Sequence, residues 1–131
     1  MKYLISTISA AALFAAGSMA GSTAANAHHS VQMFDMQKEV KISGTVKEFQ
    51  YTNPHSWLLV DVRNDDGTST VWGFEAEGPG FLMRAGITRN SLPAGTKVTV
   101  TSHPMKDGRP AGTWISLEKD DGTVLIPRPG R

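Results

Sequence analysis

The chain has 131 residues, with 13 Lys plus Arg against 12 Asp plus Glu, and it contains no cysteine. This length is enough for one small domain with one core. The near balance of charge gives no argument for binding to nucleic acid or to an anionic membrane. The absence of cysteine excludes disulfides, thioether-linked haem, iron–sulfur clusters and thiol chemistry.

The first residues predict a secretory signal peptide over residues 1–27. Lys2 supplies a positive start, residues 3–20 carry no charge, and Ala25 and Ala27 place small residues at −3 and −1 of a cleavage site. The apolar stretch is short and broken by Ser and Gly, so we expect no stable membrane anchor after cleavage. The protein is therefore expected in the periplasm. Cleavage after Ala24 or Ala25 stays open.

Residues 28–37 are predicted as an N-terminal arm, residues 38–126 as a single β-barrel domain, and residues 127–131 as a flexible tail. Within the domain, alternating apolar residues and Gly, Pro, Asn and Asp turns predict a series of short strands. The expected strands are 39–51, 57–62, 69–76, 96–103, 111–118 and 123–126. A short helix is expected around Phe81 to Ala85, ended by Gly86.

The first strand changes its apolar parity along its length. Val40, Ile42 and Val46 share one parity, whereas Phe49 and Tyr51 share the other. Such a switch predicts a β-bulge near Lys47–Glu48.

The element order favours one architecture, an all-β fold with one short helix. Three strands, a short helix and two or three further strands match a small OB-type Greek-key barrel. A long, bent first strand suits that barrel because it must serve both of its sides. A small β-sandwich is the alternative that this pattern leaves open.

Several segments resemble an uncharacterised family of short secreted bacterial proteins, catalogued as a domain of unknown function. They are "AHHS", "FD", "SGTVKEFQYTNPHSW", Trp72, the Gly86 segment, "LPAGTKVTV" and "HPMKDGRPAG". The resemblance spans nearly the whole chain after the predicted signal. It implies a periplasmic β-rich domain and supplies no activity.

Four histidines are candidate metal ligands, and all follow the predicted signal: His28, His29, His55 and His103. Cleavage after Ala27 would make His28 the first residue, whose amine and Nδ1 together chelate one metal ion. An imidazole from His55 or His103 would complete three nitrogens, with His29 as a substitute. Nitrogen-only ligation favours Cu(II), so copper is the expected cofactor. Cleavage after Ala25 would instead place His28 third, which is a different Cu(II) chelate.

Each candidate ligand also has a simpler interpretation. His55 follows the turn residues Asn53 and Pro54 and could serve only as a turn cap. His103 could be an exposed strand-end residue, and His29 a solvated one. Met105, in a polar loop, is a possible soft ligand for Cu(I).

Met33 and Met36 give a weaker hint of the same kind. Their simpler role is to fill gaps in the core.

Enzyme chemistry has little support, because the chain has no nucleophile elbow, phosphate loop or zinc-protease motif. A copper-dependent oxygenase is a minor alternative. Glu75 and the other carboxylates are expected on solvated strand faces. The leading prediction is thus a soluble periplasmic metal-binding protein, a copper carrier or buffer.

The second prediction is a metal-independent interaction module of the OB type. It would bind a protein, peptide or glycan through Tyr51, Trp57 or Trp114 as stacking aromatics. Burial of all three would weaken this prediction.

The metal prediction adds a geometric expectation, that the His55 and His103 rings lie within about 8 Å of each other, because metal–nitrogen bonds are near 2 Å.

Overall fold

The computed structural model describes residues 32–128 of the chain. Its strands are β1 (Val40–Gln50), β2 (His55–Arg63), β3 (Ser69–Glu77), β4 (Lys97–Pro104), β5 (Ala111–Lys119) and β6 (Val124–Leu125), and the helix α1 (Pro79–Arg84) lies between β3 and β4. The predicted signal segment, His28 and His29 lie outside the described residues.

The sheet closes on itself. Its strands follow the order β3-β2-β1-β4-β5-β6, and β3 also pairs with β5 in parallel. This parallel pairing joins the two sides of the sheet, so that β1 to β5 form a barrel and β6 extends it beside β5. The predicted all-β fold with one short helix is confirmed, and the β-sandwich alternative is wrong.

Strand alternation builds the core of the barrel. Ser56, Leu58 and Val60 face inward from β2, and Val98, Val100 and Ser102 face inward from β4. In β1 the register with β2 shifts between Val46 and Glu48, which leaves Lys47 as the extra residue. The predicted bulge is therefore confirmed. It lets Val46, before the bulge, and Tyr51, after it, both enter the core.

Helix α1 covers part of this core. Pro79 is suited to the first turn because it lacks an N–H to leave unpaired. Gly86, with φ of +78°, then ends the helical segment, where a residue without Cβ is favoured. The buried residues Leu82 and Ile87 join the core on either side of that turn. Within residues 32–128, no helix is long and apolar enough to cross a membrane.

Both ends of the described chain pack on the barrel. Phe34 is 2% exposed and forms a β-bridge with Met105. At the other end Pro127 is buried, and Nη2 of Arg128 lies 2.8 Å from Oε1 of Glu77. Two residues of the predicted flexible tail thus contact the barrel.

Candidate functional site

His55 is the first residue of β2 and lies on the outer face of the barrel, because Ser56 points inward. Its Nδ1 lies 2.5 Å from Oε1 of Glu75 on the neighbouring strand β3. A carboxylate accepts hydrogen bonds, so Nδ1 carries the proton in this pair. Nε2 is then the ring atom that would bind a metal ion, in the form of the ring that carries no proton there.

His103 lies near the end of β4, also on the outer face, where Val98, Val100 and Ser102 point inward. Its Nδ1 lies 2.8 Å from the backbone carbonyl oxygen of Lys38. A carbonyl oxygen can only accept, so this ring also carries its proton on Nδ1. Both described histidines thus offer Nε2 with the ring orientation fixed through the other nitrogen.

The strand register separates the two histidines. Trp57, two residues after His55, pairs with Glu75, which pairs with Thr113, which in turn pairs with His103. Neighbouring strands are about 4.8 Å apart, so three spacings amount to roughly 14 Å along the sheet. The expectation of a ring separation within about 8 Å is not supported by this register. We therefore treat the two histidines as alternative ligands of one ion.

No larger cluster of ligating side chains accompanies either histidine. Among residues 32–128, there is no group of three or more His, Asp or Glu side chains placed to hold a metal ion. A site that uses His55 or His103 would accordingly need further ligands from outside this range, and His28 and His29 are the histidines there.

The arm runs antiparallel beside the end of β4. The N–H of Asp35 donates to the carbonyl of Pro104 at 2.8 Å, and the N–H of Lys106 donates to the carbonyl of Met33 at 3.0 Å. Together with the bond between His103 and Lys38, these contacts fix the arm along residues 103–106.

The methionines of this region divide into two groups. Met105 is buried and its backbone forms a β-bridge with Phe34, so its placement favours packing over metal binding. Met33 and Met36 are each 46% exposed, so filling the core does not explain them. Their thioethers are accessible at the surface of the arm.

The three aromatic candidates do not share one surface. Tyr51 and Trp114 are buried in the core, and the Tyr51 hydroxyl lies 3.0 Å from the carbonyls of both Pro79 and Ile87. Trp57 is half-buried on the outer face, where its ring covers Gly73. A Cβ built on Gly73 would lie 3.5 Å from Cε3 of that ring. Only Trp57 of the three is placed for surface stacking.

Sequence reasoning missed two partners of the histidines. Glu75 was expected only on a solvated strand face, yet it orients His55. The β2–β3 hairpin could have predicted this contact. Counting outward from the turn at residues 64–68 pairs Glu75 with Trp57, which places Glu75 diagonally across from His55. The carbonyl of Lys38 had no such signal, since any residue supplies a backbone carbonyl.

The described chain is thus a small closed β-barrel that carries two outward histidines, each with Nε2 available. It belongs to a family of unknown function, DUF6152, whose model matches residues 17–116. That range includes all four histidines and Met105. No curated protein and no solved structure matches the chain.

Proposed function

We propose that the protein is a soluble periplasmic metal-binding protein, a copper carrier or buffer. His28, as the first residue after signal cleavage, supplies its amine and Nδ1. Nε2 of a second histidine completes the nitrogen set. The observation that carries this proposal is that both described histidines bond through Nδ1 to an oxygen acceptor.

Such bonding is the usual preparation of an imidazole ligand. Histidines that bind metals almost always donate the other ring N–H to a carboxylate or a carbonyl, which fixes the tautomer and raises the basicity of the ligating nitrogen. Nitrogen ligands favour copper over the other common divalent metals. The pairing of His55 with Glu75 and of His103 with Lys38 meets this requirement on two strands.

The course of the arm favours His103 as the second ligand. Met33 lies beside Lys106, three residues beyond His103 on the same edge, a span of about 10 Å. Met33 is the fifth residue after His28, and five residue steps can span up to about 17 Å when extended. His28 can therefore reach His103. A site at His55 lies further around the barrel.

The first test is the intact mass of the secreted protein. The proposal expects a chain that begins at His28. A chain that begins earlier removes the chelate between the terminal amine and Nδ1 of His28. Beginning at Asn26 would still leave a Cu(II) chelate with His28 third, but one that needs neither His55 nor His103.

The second test is titration of the metal-free protein with Cu(II). One tight site is expected, with affinity lowered at least about 100-fold by His28→Gln and at least about tenfold by His103→Gln, as expected when a ligand is lost. Lys41→Gln is the matched control, because Lys41 is exposed and pairs with Thr101 on the same strand as His103. Equal affinity of wild type and His28→Gln would refute the proposed site.

A second candidate function rests on Trp57. It is a metal-independent interaction module that binds a protein, peptide or glycan at the outer face of β2 and β3. Support comes from the half-buried ring over Gly73, since aromatic faces stack on sugars and bases. Quenching of tryptophan fluorescence by oligosaccharides or short peptides in chelator-treated protein tests it. The quenching should disappear in Trp57→Phe, and no quenching by any ligand would end this candidate.

A further inference from the structure

A pocket of about 300 Å³ lies between the arm, the start of β1 and the β4–β5 loop. Lys38, whose backbone carbonyl accepts from the side-chain Nδ1 of His103, is one of its lining residues, but neither outward histidine lines it. Its lining combines three cationic side chains, one carboxylate and an apolar wall, contributed by Lys38, Lys106, Arg109, Asp35, Val40, Trp72, Pro104 and Met105 together with Gly108.

The cationic groups are largely available for a ligand. The ammonium groups of Lys38 and Lys106 form no ion pair with any residue in 32–128. Nε of Arg109 donates to Oδ2 of Asp107 at 2.7 Å, which leaves the two terminal nitrogens of the guanidinium for another acceptor. Oδ1 of Asp35, the one carboxylate of the lining, accepts from the N–H of Gln37.

The loop holds Arg109 in place. The N–H of Arg109 donates to Oδ1 of Asp107 at 3.0 Å, so Asp107 binds both the backbone and the side chain of Arg109. The backbone bond and the guanidinium also hold the pKa of Asp107 below its usual value. Asp107 is therefore ionised at neutral pH and keeps the guanidinium oriented.

The wall of the pocket is aromatic. Trp72 stacks on Phe74 with ring centroids 6.0 Å apart and planes at 17°. Trp72, which is partly buried against the core, is also one of the residues that line the pocket. Pockets of 300 Å³ stand at the small end of those that hold organic ligands, with a mostly apolar lining and a few polar groups that fix orientation.

We propose that this pocket binds a small aromatic carboxylate. The ligand's ring lies against Trp72, and its carboxylate accepts hydrogen bonds from the terminal nitrogens of Arg109 and from the ammonium of Lys106. Guanidinium groups match carboxylates through two parallel hydrogen bonds. The pocket needs no metal, so the inference stands apart from the copper proposal.

The test is titration of chelator-treated, isotope-labelled protein with benzoate, followed by backbone and indole N–H resonances in NMR. Saturable shifts are expected at Trp72 and residues 104–109. Benzamide, which has the same ring without the charge, and inorganic phosphate, which has charge without a ring, are the comparison probes. Both probes should bind at least about tenfold more weakly than benzoate. Benzamide lacks the hydrogen bonds of a charged group, and phosphate lacks the stacked ring; the loss of either interaction typically lowers affinity by about tenfold.

Variants locate the binding. Arg109→Gln and Lys106→Gln should each lower the affinity for benzoate at least about tenfold. Lys97→Gln is the matched control, an exposed lysine at the opposite end of β4, and should leave benzoate affinity unchanged.

Three results would overturn the proposal. They are the absence of saturable shifts, equal binding of phosphate or benzamide at the same residues, and equal weakening by Lys97→Gln. Copper titration of the same Arg109→Gln protein should match wild type, which separates this site from the proposed metal site.

Discussion

The two outward histidines are held in different ways. His55 is oriented by Glu75 within one hairpin, so the side chains of β2 and β3 suffice to place it. His103 is oriented by the carbonyl of Lys38, which belongs to the segment that leads from the arm into β1. A ligand at His103 is therefore coupled to docking of the arm, whereas a ligand at His55 is not.

Two glycines, Gly112 in β5 and Gly73 in β3, differ in how closely they are packed. Next to the His103 side, Gly112 packs so tightly that an added Cβ would lie 2.5 Å from the carbonyl oxygen of His103 and would also collide with Oγ of Ser102. Next to the His55 side, Gly73 has ordinary contact distance to the ring of Trp57. Gly112 is therefore closely constrained, whereas Gly73 can accept a methyl group.

Removing Phe34 should give the largest effect. Phe34→Ala deletes the buried anchor of the arm and is expected to lower the free energy of unfolding by about 3–5 kcal/mol. Urea denaturation measures this change. Phe81→Ala is the control, because Phe81 is 56% exposed and should change stability by less than about 0.5 kcal/mol. In protein that remains folded, Phe34→Ala should also lower the affinity for Cu(II). Unchanged stability and copper affinity would show that the arm and His103 are not coupled.

Gly112→Ala and Gly73→Ala form the next pair. Gly112→Ala should lower the free energy of unfolding by about 1–3 kcal/mol, because the backbone and Ser102 must shift to admit the methyl group. The second should leave the free energy of unfolding within about 0.5 kcal/mol of wild type. Thermal or urea unfolding of the two variants compares them directly. Similar losses of stability in both variants would contradict the difference in packing between the two glycines.

Glu75→Gln separates the histidines as metal ligands. A partner that orients a ligating histidine typically contributes 10–100-fold in metal affinity. Since we favour His103, Glu75→Gln should change Cu(II) affinity by less than about threefold, against at least tenfold for His103→Gln. Calorimetric titration of both variants provides the measurement. A tenfold loss in Glu75→Gln would move the proposed site to His55.

The smallest expected effect on stability concerns Asp66 in the β2–β3 loop and Asp107 in the β4–β5 loop. Hydrogen bonds from the side chain and backbone of Thr68 lower the pKa of Asp66 below 3.8, and the N–H of Arg109 lowers that of Asp107. A depressed folded-state pKa contributes stability above the unfolded pKa, and that contribution is lost as the pH falls through the folded-state pKa. Asp66→Asn and Asp107→Asn should each flatten the decline in stability below pH 3.8. Asp65→Asn, without a hydrogen bond from any described residue, is the control, and an equally flattened curve there would contradict this assignment.

Local pattern was enough for the strands and their turns. Period-two alternation set Val98 and Val100 on the parity opposite His103, the parity switch between Val46 and Phe49 located the bulge, and Gly86 marked the end of α1. These features depend on residues close together in the chain, where the spacing of side chains follows directly from backbone geometry. The aromatic residues were harder, since Trp57 and Trp114 both lie in predicted strands, but Trp57 is half-buried and Trp114 is buried.

What the sequence determined by itself is the set of strands, the bulge in β1 and the presence of four histidines. Only the tertiary structure decided that β3 meets β5, that Trp114 is buried while Trp57 is outside, and that Lys38, Trp72 and Arg109 line one pocket. It also decided which oxygen holds each of His55 and His103. The reason is that closing the barrel brings together segments far apart in the chain. Neither the register of those segments nor a contact with a backbone carbonyl is encoded in any short stretch of residues.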